Sequence, residues 1–214
     1  MLHFHVITLF PESIEPYLKS SIIGRALKAK KIKISFYDPK KFTRDKYGRV
    51  DRRPYGGGPG MVLEPDAILR AVEKAKTKAK GKASAFFFST DGALFDEPMA
   101  RKLSRQKDII LICGHYEGVD ERVAKILKAK KISVGPYVLT GGELPAATLI
   151  DAVSRFVPEV LGKAESLEAS RVSSPKVYTR PEILVWKGKK YRVPKVLLSG
   201  HHAEIEKWKR ESKG

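Results

Sequence analysis

Apolar runs alternate with helically spaced stretches along the first 160 positions, the pattern of an α/β domain built on a mostly parallel sheet. Residues 3–9 (HFHVITL) read as a first strand. Ser20 or Ser21 is placed to cap a helix in which Ile22, Ile23, Ala26 and Leu27 recur at helical spacing, and residues 31–38 (KIKISFYD) then alternate as a strand. Residues 39–60 form a long basic, glycine-rich loop. An amphipathic helix is predicted at 64–80, a buried strand at 83–89 (ASAFFFS), a helix at 97–105 and a near-continuous apolar strand at 108–113 (DIILIC). Helical spacing returns at 119–127, a short strand follows at 131–135, and a helix over 142–156 starts behind two glycines. Strands this apolar belong to a sheet covered on both faces.

The alternation breaks at GKAESLEASRVSSPK, rich in Ser, Ala and Glu, which reads as a flexible linker. The expected organisation is therefore a domain over 1–161, a linker over 162–176 and a small unit over 177–214. In that unit residues 183–193 (ILVWKGKKYRV) suit a hairpin, and 199–213 a helix with a serine cap. No internal repeat is evident.

Charge narrows the partners. Lys and Arg number 42 against 24 Asp and Glu, a net +18 that predicts long-range attraction to a polyanion, with nucleic acid foremost. From residue 161 onward 13 basic residues face 6 acidic ones, so charge is densest in the tail, as RNA docking requires. Any single lysine run, such as that around Lys74 to Lys82, is also what a solvated surface looks like. Cys113 is the only cysteine, which excludes an internal disulfide and a CxxC metal site and reads as a buried thiol. The opening MLHFHVITLFPE lacks a basic leader and its apolar run ends at Pro11, and no apolar stretch reaches the ~18–20 residues that span a bilayer. A cytoplasmic protein with no membrane segment is expected.

Three glycine-bearing segments occur where strands end, which is where open α/β sheets collect ligands: YGGGPG at 55–60, CGHYEGVDER at 113–122 and SVGPYVLTGGELPA at 133–146. Glycine lets backbone N–H and C=O groups approach a ligand closely, although each segment alone also suits a plain tight loop. No GxGxxG opens a helix, GGGPG lacks the Lys-Ser/Thr of a P-loop, and HExxH is missing. A dinucleotide domain, an NTPase and a zinc hydrolase are disfavoured. His201 and His202, beside Ser199 and Gly200, read as a helix start rather than metal ligands.

Taken in order, VDRRPYGGGPGMV, LICGHYEGVDERV, SVGPYVLTGGELPA, LIDAVSRFVPEVLG, VYTRPE and LLSGHHAEIEKW closely resemble the bacterial tRNA (guanine-N1)-methyltransferase family of the trefoil-knot SPOUT superfamily. The resemblance covers almost the whole chain. It implies an α/β trefoil-knot methyltransferase domain, a flexible linker and a small, mainly helical C-terminal tRNA-binding domain, here shortened. It also implies a homodimer in which linker and tail of one subunit complete the site of the other. The implied reaction moves a methyl group from S-adenosylmethionine to N1 of the guanosine 3′ of the anticodon of tRNA.

By that resemblance the cofactor is held by Phe88, Ser89 and Thr90, by Gly114, Tyr116, Glu117 and Gly118, and by the third segment. In the third segment the positions are Ser133, Val134, Gly135, Pro136, Tyr137, Val138 and Leu139, then Gly141, Gly142 and Pro145. Arg155 matches the family arginine that faces the guanine, a role suited to a guanidinium that stays charged and donates in a planar fork. Where the family carries a catalytic aspartate in the linker, this chain aligns Ser170, with Glu168 two residues before it. Glu168 is the candidate base, because N1 of neutral guanine carries a proton that must leave. Ser173 and Ser174 stand where a further aspartate is usual, Arg52 replaces a usual acid and Pro136 a common Asp. Two readings stay open: an active enzyme, or a dimer that binds S-adenosylmethionine and tRNA with weak or lost catalysis. Participation of Mg2+ is also left open, and no protein metal site is expected.

Overall fold

A computed structural model describes residues 1–161 and 176–212. The strands are β1 (Leu2–Ile7), β2 (Ile32–Tyr37), β3 (Asp51–Arg52), β4 (Val62–Leu63), β5 (Ser84–Leu94), β6 (Asp108–Ile112), β7 (Lys130–Ser133), β8 (Ile183–Trp186) and β9 (Lys189–Arg192). The α-helices are α1 (Glu15–Leu18), α2 (Ser21–Lys28), α3 (Pro65–Lys78), α4 (Glu97–Leu103), α5 (Glu121–Leu127), α6 (Glu143–Ser154) and α7 (His202–Glu211). The chain divides into two compact units, Met1–Leu161 and Gly162–Gly214.

In the first unit five strands form one sheet in the order β2-β1-β6-β5-β7, every pair parallel. All residues of β1 and β6 are buried, which explains their unbroken apolar character. Alternation divides them between two cores. Phe4, Val6, Ile109 and Leu111 pack with Ala146, Leu149, Ile150 and Val153 of α6, while Ile7, Ile110 and Ile112 pack with Ile68, Ala71, Val72 and Ala75 of α3. The helices sit on both faces, in keeping with the α/β architecture of the resembled family.

Local chemistry sets the helix ends. Asp96 accepts a hydrogen bond from the Met99 amide at 2.8 Å to start α4, and Asp120 accepts one from the Arg122 amide at 2.9 Å to start α5. Ser20 does occupy the position before α2, but its hydroxyl donates to the Tyr17 carbonyl at 2.6 Å instead of capping. The long loop before α3 is tied by the short antiparallel β3–β4 pair, which its sequence did not foretell.

The second unit begins its described part with the antiparallel β8–β9 hairpin. Its two-residue turn, Lys187 and Gly188, has φ of 48° and 76°, the conformation that matches strand twist in tight hairpins. A 3-10 turn at Lys195–Leu198 and α7 follow. Tyr178 and Trp208 meet there with ring centroids 6.2 Å apart. No helix among the described residues is long and apolar enough to cross a membrane.

Candidate active site

Because β6, β5 and β7 are neighbours running the same way, the segments leaving their carboxyl ends converge. β5 contributes through an irregularity. Phe88 and Ala93 both pair with Ile132 of β7, so residues 89–92 bulge out of register and carry Ser89 and Thr90 to the rim. Gly92 permits this, since a Cβ there would lie 2.5 Å from the Ile132 nitrogen.

The segment after β6 is pinned from three sides. The Cys113 amide donates to the Ile7 carbonyl at 2.9 Å, the Glu117 amide to the Met61 carbonyl at 3.0 Å, and the Gly142 amide to the Gly114 carbonyl at 2.8 Å. Gly142 sits so close that a Cβ would come 2.6 Å from the Cys113 Cα. Tyr116 adopts φ 57°, an uncommon left-handed conformation for a residue with a side chain and a mark of a tightly determined loop. The end of the YGGGPG segment takes part as well. A Cβ on Gly60 would meet the Glu117 carboxylate at 2.6 Å, so that glycine makes room for the acid.

The segments leaving β5, β6 and β7 enclose a cavity of about 330 Å³, and no residue of 55–60 lines it. Its lining contains every cofactor position expected above except Pro136, which is exposed beside it. Phe87, His115, Val119, Glu121, Lys131, Ile132 and Thr140 line it in addition. Lys131 lies 3.2 Å from Glu121 and 3.3 Å from Asp91, and these carboxylates, Glu121 first, hold its ammonium above the ordinary lysine range. His115 contributes a buried Nδ1 with no hydrogen-bond partner, 3.9 Å from the carboxylate of Glu143. An orphaned ring nitrogen in a cavity wall is a group that a polar ligand can satisfy. Cys113 beneath the loop is fully buried, and burial pushes its thiol up, so it is no nucleophile.

Arg155 stands apart. It follows the last turn of α6, whereas Gly142 and Pro145 at the other end of that helix line the cavity, so Arg155 is roughly 15 Å along the axis from its own chain's cavity wall. Glu168, Ser170, Ser173 and Ser174 lie outside the described residues. His201 precedes α7 and His202 begins it, both exposed.

One cluster went unforeseen. His3, His5 and Asp108 are buried together at the opposite end of the sheet, with potential ligand atoms within 4.8 Å of one another. The hydrogen bonds close without an ion. Asp108 accepts from His5 Nε2 at 3.1 Å and from the Lys80 amide at 2.9 Å, which leaves His5 Nδ1 to accept from the Tyr37 hydroxyl at 3.0 Å.

The model of the family described as tRNA (Guanine-1)-methyltransferase TrmD matches residues 2–214. A tRNA (guanine-N(1)-)-methyltransferase of Caldanaerobacter subterraneus subsp. tengcongensis is 46% identical over 213 residues, covering 97% of this chain and 85% of that protein. Proteins of the same name from Pseudoalteromonas atlantica and Haemophilus influenzae are 43% and 44% identical, covering 96% and 95% of this chain and 78% and 83% of their own length. A match running from the first strand to the last helix, through both glycine-bearing segments that wall the cavity, places this chain in the tRNA (guanine-N1)-methyltransferase family.

Proposed function

We propose that the protein is a tRNA (guanine(37)-N1)-methyltransferase that uses S-adenosylmethionine, acting in the cytoplasm as a homodimer. The carrying observation is the cavity walled by the glycine-bearing segments at 113–122 and 133–146 together with the bulge of β5, in a chain whose relatives bear the name of that reaction.

The residues present suit the methyl donor. Glycines 114, 118, 141 and 142 put no side chain into the wall, so a purine can approach it closely, and Val134, Ile132 and Leu139 offer apolar faces to its ring. Glu117 supplies a carboxylate for ribose hydroxyls or a cationic centre, and His115 Nδ1 a free hydrogen-bonding position. When bound, S-adenosylmethionine supplies an electrophilic methyl group on a sulfonium.

The chain has two further tasks. One is to draw charge onto O6 of the guanine, and Arg155 suits it because its guanidinium remains protonated throughout. The other is to take the N1 proton, which Glu168 performs as a carboxylate and Ser170 alone would do poorly. The remoteness of Arg155 from its own chain's cavity supports a site completed by a second subunit. The unit from Gly162 onward, dense in lysine and arginine, is the RNA-holding part.

The test is incubation with S-adenosylmethionine and tRNA lacking the modification, followed by mass spectrometry of the nucleosides. 1-Methylguanosine at position 37 is the expected product. Cofactor and tRNA binding with no methylated nucleoside would instead establish a binding protein without turnover.

A further inference from the structure

The base of the sheet, at the end opposite the cavity, carries a second hollow of about 250 Å³. Lys33 comes to it from β2, Lys78 from the end of α3, Lys80 from the turn after it and Lys107 from the residue before β6. All four lysines are exposed, and among the described residues none of their ammonium groups enters an ion pair. The only acid in the wall is Asp108, and it is spent: one oxygen accepts from His5 and the other from the Lys80 amide. Four ammonium groups around one concavity repel one another, and the single carboxylate in the wall offsets only one of them. That arrangement selects an anion and disfavours a divalent cation, even though His3, His5 and Asp108 lie close together beneath it.

We infer that this hollow is a phosphate-binding site that takes backbone phosphates of the RNA substrate, outside the methyl-transfer cavity. The inference rests on the reading of the chain as a tRNA enzyme. Its reach is sound: β6 has five residues, so the hollow and the cavity are separated by roughly 17 Å of strand, a span that a folded RNA covers. Lysines on separate elements also match a backbone track better than a single deep contact, because each supplies a point charge on a flexible stem.

The test compares two full-length variants with the wild type. One carries Lys33→Gln, Lys78→Gln, Lys80→Gln and Lys107→Gln. The other loses the same charge elsewhere, at exposed Lys28, Lys102, Lys125 and Lys128. Binding of unfractionated tRNA is measured across a salt series. The hollow variant should bind at least about ten-fold more weakly near 0.1 M salt, with the slope of log K against log salt shallower by about 2 or more. The control should shift by less than half as much, and S-adenosylmethionine affinity should be unchanged in both. Equal losses in the two variants would reduce the effect to bulk charge and overturn the inference. So would an unchanged hollow variant, whether or not inorganic pyrophosphate binds the wild type, since pyrophosphate binding alone would assign the hollow to a free anion. Failure of the wild type to bind tRNA would overturn the RNA reading itself, an outcome distinct from either.

Discussion

Thr8 Oγ1 donates a 2.7 Å hydrogen bond to Glu143 Oε1, joining the end of the first strand to the first residue of α6 across 135 positions of sequence. Both residues are buried, and Glu143 is also the nearest carboxylate to the unpartnered nitrogen of His115. The contact therefore fixes the start of the helix against which Gly114 and Gly142 close.

Removing that donor should show in stability and binding together. Thr8→Val keeps the shape but leaves a buried carboxylate short of a partner, at a cost of about 1–3 kcal/mol in urea unfolding. Methyl-donor affinity should fall with it. Thr8→Ser restores a hydroxyl and should recover most of both, and a Thr8→Val protein as stable as wild type would show that the bond contributes nothing.

Gly142 makes a sharper demand. Its missing Cβ would overlap the backbone of Cys113 and Gly114, at 2.6 and 2.9 Å, and backbone does not yield as a side-chain tip does. Gly142→Ala should weaken methyl-donor binding by at least about ten-fold, equivalent to about 1.4 kcal/mol, when titrated by calorimetry. Gly57→Ala is the contrast. Its Cβ meets open space, so only the strain of its positive φ applies and donor binding should be untouched.

Much of this was readable from residue order, for a physical reason. Strands such as β1 and β6 are buried on both faces, so their apolar runs are continuous, and the glycine segments at 113–122 and 133–146 follow β6 and β7 at the carboxyl ends where parallel strands deliver them to one place, whereas YGGGPG lies between the antiparallel β3 and β4. What escaped depends on pairing at a distance. The bulge at 89–92 exists only because Phe88 and Ala93 share Ile132, and β3 and β4 are too short to show a period. His3 and Asp108 are register partners in a parallel pair formed by segments more than a hundred residues apart, which no local pattern announces. Pro136, set among pocket residues by motif alone, is exposed and lies outside the cavity lining.

That buried pair makes stability sensitive to acid. Burial, reinforced by His5 and Lys33 and only partly opposed by Asp108, lowers the His3 pKa to about 4, and burial lowers that of His5 as well. The unfolded chain binds protons on these histidines below about pH 6.5 while folded His3 stays neutral until about pH 4, so stability is full above the first value and declines between the two. For His3 the loss approaches about 3 kcal/mol. Thermal unfolding across pH 7 to 4 checks it: His3→Gln should flatten the decline, and a parallel curve would locate the acid sensitivity elsewhere.

Glu168 and Ser170 divide cleanly by experiment. If the carboxylate takes the N1 proton, Glu168→Gln should lower turnover by about a hundred-fold or more, with cofactor affinity unchanged. Ser170→Ala should then leave turnover nearly intact. The reverse pattern, with the serine variant inactive and the glutamine variant active, would remove Glu168 from the chemistry.

The position of Arg155 at the far end of α6 from its own chain's cavity leads to the most decisive mixture. Arg155→Ala subunits keep an intact cofactor cavity, and Gly142→Ala subunits keep an intact arginine. If each site pairs the cavity of one subunit with the arginine of the other, a mixed dimer has one site with both parts sound and one with neither. Refolding the two variants together in equal amounts, and assaying at a methyl-donor concentration that the Gly142→Ala cavity does not fill, should then restore about a quarter of wild-type activity, since half of the dimers are mixed and each carries one working site. An arginine serving its own chain's cavity would give mixed dimers with one defect in every site. That mixture would stay inactive, and the shared-site reading would fall with it.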